Sequence, residues 1–144
     1  MTGQKTTMQK VVEWIEWYHS IPYDTIEIEE LLKIRRALSC ELFQYGREIA
    51  RAYKAKMDTE YQRRKKQAEE TTKAFTGGAS AAASAEAGRA NSMDELEKEH
   101  KAEAIYKGMS IIINQGNEVL SCIQQQAAYL RREHNAETTG TGSQ

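Results

Sequence analysis

Between residues 47 and 66 the chain carries Arg47, Arg51, Lys54, Lys56, Arg63, Arg64, Lys65 and Lys66, against only Glu48, Asp58 and Glu60. Arg47, Arg51 and Lys54 are four and three residues apart, so on a helix they lie one above another as a basic stripe. Tyr45, Tyr53 and Tyr61 are interleaved every eight residues. Cationic surfaces with aromatic platforms hold single-stranded nucleic acid without reading its sequence. The candidates for that role are Arg47, Arg51, Lys54, Arg63, Arg64, Lys65, Lys66, Tyr53 and Tyr61. A plainer reading stands beside it: a solvated helix face, tyrosines packed against a neighbouring helix, and a stripe neutralised by the acidic start of the last long helix, with Asp94, Glu95, Glu97 and Glu99.

Reaction chemistry has weaker footing. There is no glycine-rich phosphate loop, no nucleophile elbow and no Cys/His cluster with metal-ligand spacing. Glu97 and His100 make a single Glu-x-x-His, the spacing of helical di-iron sites, but such sites need a second copy and glutamates from other helices. With no second copy, the pair reads as part of a solvated face. His19 and His134 are isolated. Cys40 and Cys122 make no CxxC pair and read as small, partly buried apolar residues in a reducing compartment. The expectation is a protein without catalytic activity, metal or cofactor.

The elements that must position these residues are helices. The 144 residues hold one proline, Pro22, and 28% charged residues, a composition that favours long helices over sheet. Formal net charge is −1, but residues 1–30 sum to −4, residues 31–73 to +6 and residues 74–144 to −3. The middle segment is therefore where an anionic ligand would bind. No apolar run reaches the roughly 20 residues of a membrane span, and the N-terminus is too polar for a signal peptide, so a cytoplasmic protein is expected.

Met8, Val11, Val12, Ile15 and Tyr18 recur at helical spacing beside Trp14 and Trp17. They predict a short helix within residues 1–23, ended by Pro22, with the tryptophans either docking it or anchoring a partner. A long basic helix is expected over 24–75, opened by a capping box of Asp24 and Glu27, although "TIEIE" alternates like a strand. Gly77 and Gly78 stop it. Residues 76–91, rich in Ala, Ser and Gly, read as a flexible linker, transiently helical where alanine dominates. A second long helix is expected over 92–135, with Ser92 and Glu95 as a capping box, followed by a disordered tail over 136–144.

In that last helix Met109, Ile113, Gly116, Leu120, Ile123, Ala127, Leu130 and His134 alternate four and three residues apart, and Ile105, Ile112 and Val119 repeat every seven. This is a heptad seam widened on one side. Gly116 on the seam and Gly108 beside it predict close helix packing; the alternative is a kink or a ligand gap. The architecture is then all-α: a coiled-coil-like antiparallel helical hairpin with a short N-terminal helix. Because a two-helix hairpin leaves part of so broad a stripe wet, a homo-oligomer is expected. Its interface would draw on Trp14, Trp17, Met109, Ile113, Gly116, Leu120, Ile123 and Leu130.

The run "EAIYKGMSIIINQGNEVLSCIQQQAAYLRRE" resembles small all-helical proteins of tailed bacteriophages, encoded in early regions near recombination and single-strand-binding genes. Glu103, Ala104, Tyr106, Lys107, Gly108, Asn117, Val119, Leu120, Ser121, Leu130 and Glu133 carry the resemblance, which extends over residues 31–133; the Trp-bearing helix has no counterpart in it. The resemblance implies a phage or prophage origin. It points to an accessory role in DNA recombination or replication, with single-stranded DNA as a partner, or to an inhibitor or assembly component that grips a phage or host protein.

Overall fold

The computed structural model describes residues 4–22 and 25–140. Four helices follow in order, α1 (Thr7–Ser20), α2 (Ile28–Thr76), α3 (Ala81–Ala90) and α4 (Met93–Gly140), and no strand occurs among the described residues. The chain is all-α, as its composition and periodicity predict. It divides into two compact units, residues 1–47 with 110–144 and residues 48–109.

The first unit has an apolar core. Helix α1 opens on a capping box: the Thr6 hydroxyl accepts the Gln9 N–H at 3.2 Å, and the Gln9 side chain accepts the Thr6 N–H at 2.9 Å. The helix ends before Pro22, where the Ile21 N–H donates to the Tyr18 carbonyl. Its Val11 is fully buried, the Tyr18 hydroxyl donates to the Gln126 side chain of α4 at 3.2 Å, and Lys10 approaches Glu41 of α2. So α1 docks on both long helices. Leu31, Ile34, Leu38, Leu42 and Tyr45 of α2 are buried, as are Val119, Ile123 and Ala127 of α4. Leu42 faces Gly116 and Gly46 faces Ile113, so within this unit the two helices run antiparallel.

The second unit is built differently. Among its described residues only Ser84, Gly88 and Ser92 are buried, and no large apolar side chain is. Helix α2 stops where the Gly77 N–H reaches the Lys73 carbonyl, and Gly78 takes φ of +93°, a conformation that favours glycine. Ser80 then caps α3, accepting the Ala83 N–H at 3.3 Å. Residues 81–90, expected as flexible linker, are therefore a helix. The physical reason is Gly88: a Cβ there would stand 2.0 Å from Thr71 Oγ1 and 2.8 Å from the Gln67 carbonyl oxygen. A helix of small residues lies directly on the α2 backbone and packs without large side chains.

Further expectations change. Asp24 of the expected capping box lies outside the described residues, and α2 begins at Ile28, after Ile26 has been buried. The Ser92 hydroxyl donates to the Arg89 carbonyl at 3.1 Å, closing α3, while its carbonyl accepts the Leu96 N–H that opens α4. Helix α4 continues to Gly140, through the first part of the expected tail. A Cβ at Gly108 would meet nothing within 4 Å, so this glycine does not mediate close packing, whereas one at Gly116 would stand 2.6 Å from Leu42 Cδ2.

These three glycines respond differently to substitution. Gly108→Ala raises stability by about 1 kcal/mol through helix propensity alone. Gly116→Leu overpacks against Leu42 and lowers it by about 1–3 kcal/mol. Gly88→Ala must push α3 off the α2 backbone, at a similar cost. Urea unfolding of the three variants checks the order, and a neutral Gly88→Ala would remove the close approach from the account.

Candidate nucleic-acid interface

The basic run of α2 separates into two groups. The Arg63 guanidinium donates to Glu99 of α4 and to the Gln67 side chain, and it is largely covered. Arg64 pairs with Glu60, Lys65 approaches Glu69 at 4.0 Å and Lys66 pairs with Glu70 at 3.0 Å. The hydrogen bond from Lys66 is the main cause that holds the Glu70 carboxyl below its ordinary range, and the same bond raises Lys66. These four cations are engaged by glutamates, three of them within α2. Lys56 sits 5.5 Å from the centre of the Tyr106 ring, a cation–π contact.

Arg47, Arg51 and Lys54 are different. All three are exposed, and none has an ion pair among the described residues. Arg47 belongs to the first unit, where two further residues, unnoticed as part of this stripe in the sequence, share its side of α2, whereas Arg51 and Lys54 belong to the second. Phe43, one turn before Arg47, is 74% exposed. Arg36 lies seven residues before Phe43 and is also exposed. The signal was present as the same four-and-three spacing, carried upstream of the densest charge.

The tyrosines do not act alike. Tyr45 is fully buried in the first unit. Tyr53 meets Tyr106 with ring centroids 5.4 Å apart, as helix packing predicts, while keeping about half its surface open. Tyr61 is 63% exposed. The exposed aromatic side chains of α2 thus include Phe43, Tyr61 and, near its end, Phe75, with Tyr53 shared between packing and solvent.

The residues expected at an oligomer or partner interface also separate. Gly116 and Ile123 are buried within the single chain by its own helices, so they belong to the core and cannot meet a partner. Met109, Ile113, Leu120 and Leu130 are half-buried. Trp14 is half-buried and Trp17 exposed; their rings meet edge to face, 5.8 Å apart, and line a cleft of 840 Å³ with Ile34. Cys40 and Cys122, expected to be partly buried, are exposed thiols. Glu97 and His100 are exposed, and Glu97 bonds to Lys101 at 2.7 Å, which lowers its carboxyl pKa. Among the described residues no three His, Cys, Asp or Glu side chains are grouped to hold a metal, and no helix is long and apolar enough to cross a membrane.

The chain matches no protein family model, no curated protein and no solved structure. An exposed line of cations with an aromatic ring among them can neutralise phosphates and stack a base. Cations already bonded to glutamates contribute little, because a phosphate must first displace the carboxylate.

The Arg63–Glu99 pair instead holds α2 to α4 in the second unit. Arg63→Ala leaves a largely covered carboxylate without its cation and costs about 1–3 kcal/mol. Removing both partners costs less than the sum of the single changes. A double-mutant cycle in urea measures the coupling, and additive effects would make the pair incidental.

Proposed function

We propose that this chain is a non-catalytic accessory factor in phage DNA recombination or replication, and that the exposed face of α2 binds single-stranded DNA. The observation that carries the reading is the placing of Arg36, Phe43 and Arg47 on one side of α2 in the first unit: among the described residues the two arginines are exposed and make no ion pair, and the most exposed large apolar side chain lies between them. Arg51 and Lys54 of the second unit are likewise exposed and make no ion pair among the described residues. The resemblance of residues 31–133 to early-region phage proteins supports the DNA context. Four or so cations can supply an attraction that depends strongly on salt, and a ring on the same face adds stacking with little preference between bases.

A second reading is a protein-interaction module, such as an inhibitor of a host factor or an assembly component. The Trp14–Trp17 cleft favours it, because half-open tryptophans on a docked helix are typical anchors for a partner.

Titration into a fluorescent single-stranded oligonucleotide, beside a duplex of equal length, tests the first reading. Binding is expected to prefer the single strand and to fall with salt at a log–log slope of about −0.7 for each cation engaged. The triple change Arg47→Glu, Arg51→Glu, Lys54→Glu abolishes it with helicity unchanged, and Phe43→Ala weakens it by about 1–3 kcal/mol. Undiminished binding by the triple variant would remove α2 as the interface; no binding at low salt would remove the DNA reading altogether.

A further inference from the structure

The cleft beside the tryptophans has a chemical character of its own. Its apolar lining is Trp14 and Trp17 of α1 and Ile34 of α2. Its polar lining is acidic on balance, with the carboxylates of Glu13, Glu27, Glu29 and Glu30 against the ammonium groups of Lys10 and Lys33. Two of these charges are already engaged, since Glu13 bonds to Lys5 at 2.8 Å and Lys10 approaches Glu41 at 3.9 Å. Glu27, Glu29 and Glu30 have no ion pair among the described residues, and against the one ammonium of Lys33 they leave the start of α2 with a net negative rim beside an aromatic corner. Acidic residues in the first turn favour the α2 dipole, which accounts for Glu29 and Glu30 as helix formers. It does not account for tryptophans left open next to them.

We propose that this cleft receives a basic amphipathic helix of a partner protein. The apolar anchors of that helix would seat on Trp14 and Trp17, above the buried Ile34, and its Lys or Arg side chains would meet Glu27, Glu29 and Glu30. Two helices flanking an apolar floor form the kind of groove that takes a third helix by its apolar stripe. The charge selects the partner: an acidic or neutral helix forgoes the rim, and a nucleic acid strand is repelled by it. Tryptophan faces add attraction for Lys and Arg heads at the edge of the groove. The inference rests on the contact reading, names the chemistry of its partner, and is independent of strand binding by the Arg47 face.

Trp14 and Trp17 are the two tryptophans of the chain, so its tryptophan emission reports on this cleft alone. The probe is an 18-residue Leu/Lys amphipathic helical peptide without tryptophan. One control peptide replaces every Lys by Gln, and another replaces the Leu face by Ser. Titration of the full chain is expected to give a saturable, one-to-one blue shift with the Leu/Lys peptide and much weaker binding with either control. Glu29→Gln with Glu30→Gln should weaken binding roughly tenfold, equivalent to about 1.4 kcal/mol, while circular dichroism stays unchanged. Trp17→Ala, at an exposed position, should weaken it by a similar factor with Trp14 still reporting.

An unchanged emission would overturn the proposal. So would equal binding of the Gln control, which leaves a contact surface but removes the basic partner. Sedimentation without peptide gives a further way to fail: a dimer that Trp17→Ala dissociates would mean that a second copy of this chain fills the cleft.

Discussion

At Gly116 the space that a side chain would take is filled by Leu42, and the first unit depends on that contact. With Leu42 Cδ2 2.6 Å from where a Cβ would stand, α2 and α4 approach more closely than facing side chains permit. Every buried apolar side chain of the described residues belongs to this unit, from Val11 and Ile26 to Ile123 and Ala127. Apolar burial stabilises by roughly 25 cal/mol per Å², so this is where the favourable free energy of folding is concentrated. Short α1 exists on the same terms. At 14 residues it is marginal in isolation, and Val11 and the Tyr18–Gln126 bond hold it in place.

The second unit has no such core and holds its helices by other means. Gly88 and Ser84 bring α3 against α2, and Arg63 reaches Glu99 across to α4. Polar pairs of this kind contribute about 1 kcal/mol net, less when exposed. The choice has a consequence for function. Cations recruited to hold helices, or neutralised along their own helix by Glu60, Glu69 and Glu70, are engaged before any ligand arrives. The densest charge in the sequence, residues 63–66, is therefore the less available part, and the sparser Arg47, Arg51 and Lys54 are the more available.

That reversal shows what the sequence could and could not convey. Helical periodicity, the Gly77–Gly78 stop, the close approach at Gly116 and the middle of the seam, from Gly116 to Ala127, were legible, because each follows from spacing along one element, whereas Ile105 and His134 of the expected seam are exposed. The role of Gly108 was not, since a glycine on an open face and one at a contact look alike until the second helix is placed. Helix α3 was missed for a related reason. Its small residues read as a linker when packing is judged by side-chain size, whereas here packing comes from backbone proximity. The Thr6–Gln9 capping box was readable as Thr-x-x-Gln and went unread. For the candidate site, the basic stripe was legible in position but not in availability, because an ion pair such as Arg63–Glu99 joins residues far apart in the chain. Phe43 was passed over because the neighbouring tyrosines had the more regular spacing.

Both candidate surfaces are carried on helices rather than loops, and this decides how each would bind. The backbone positions of Arg47, Arg51 and Lys54 are fixed by α2, so binding a strand costs mainly the rotamer freedom of long side chains. Affinity for such a strand would come from phosphate neutralisation and fall as salt rises. The tryptophan cleft differs in kind. Its anchor is apolar and its charges lie at the rim, where a Debye length near 8 Å at physiological salt already weakens them. If both surfaces bind as proposed, raising salt would strip most of the attraction from the Arg47 face but only the selective part from the cleft, whose apolar contact would persist or strengthen in strongly hydrated salts. The two surfaces of one helical protein thus respond to the same variable in different degrees, and the difference follows from where each keeps its charge.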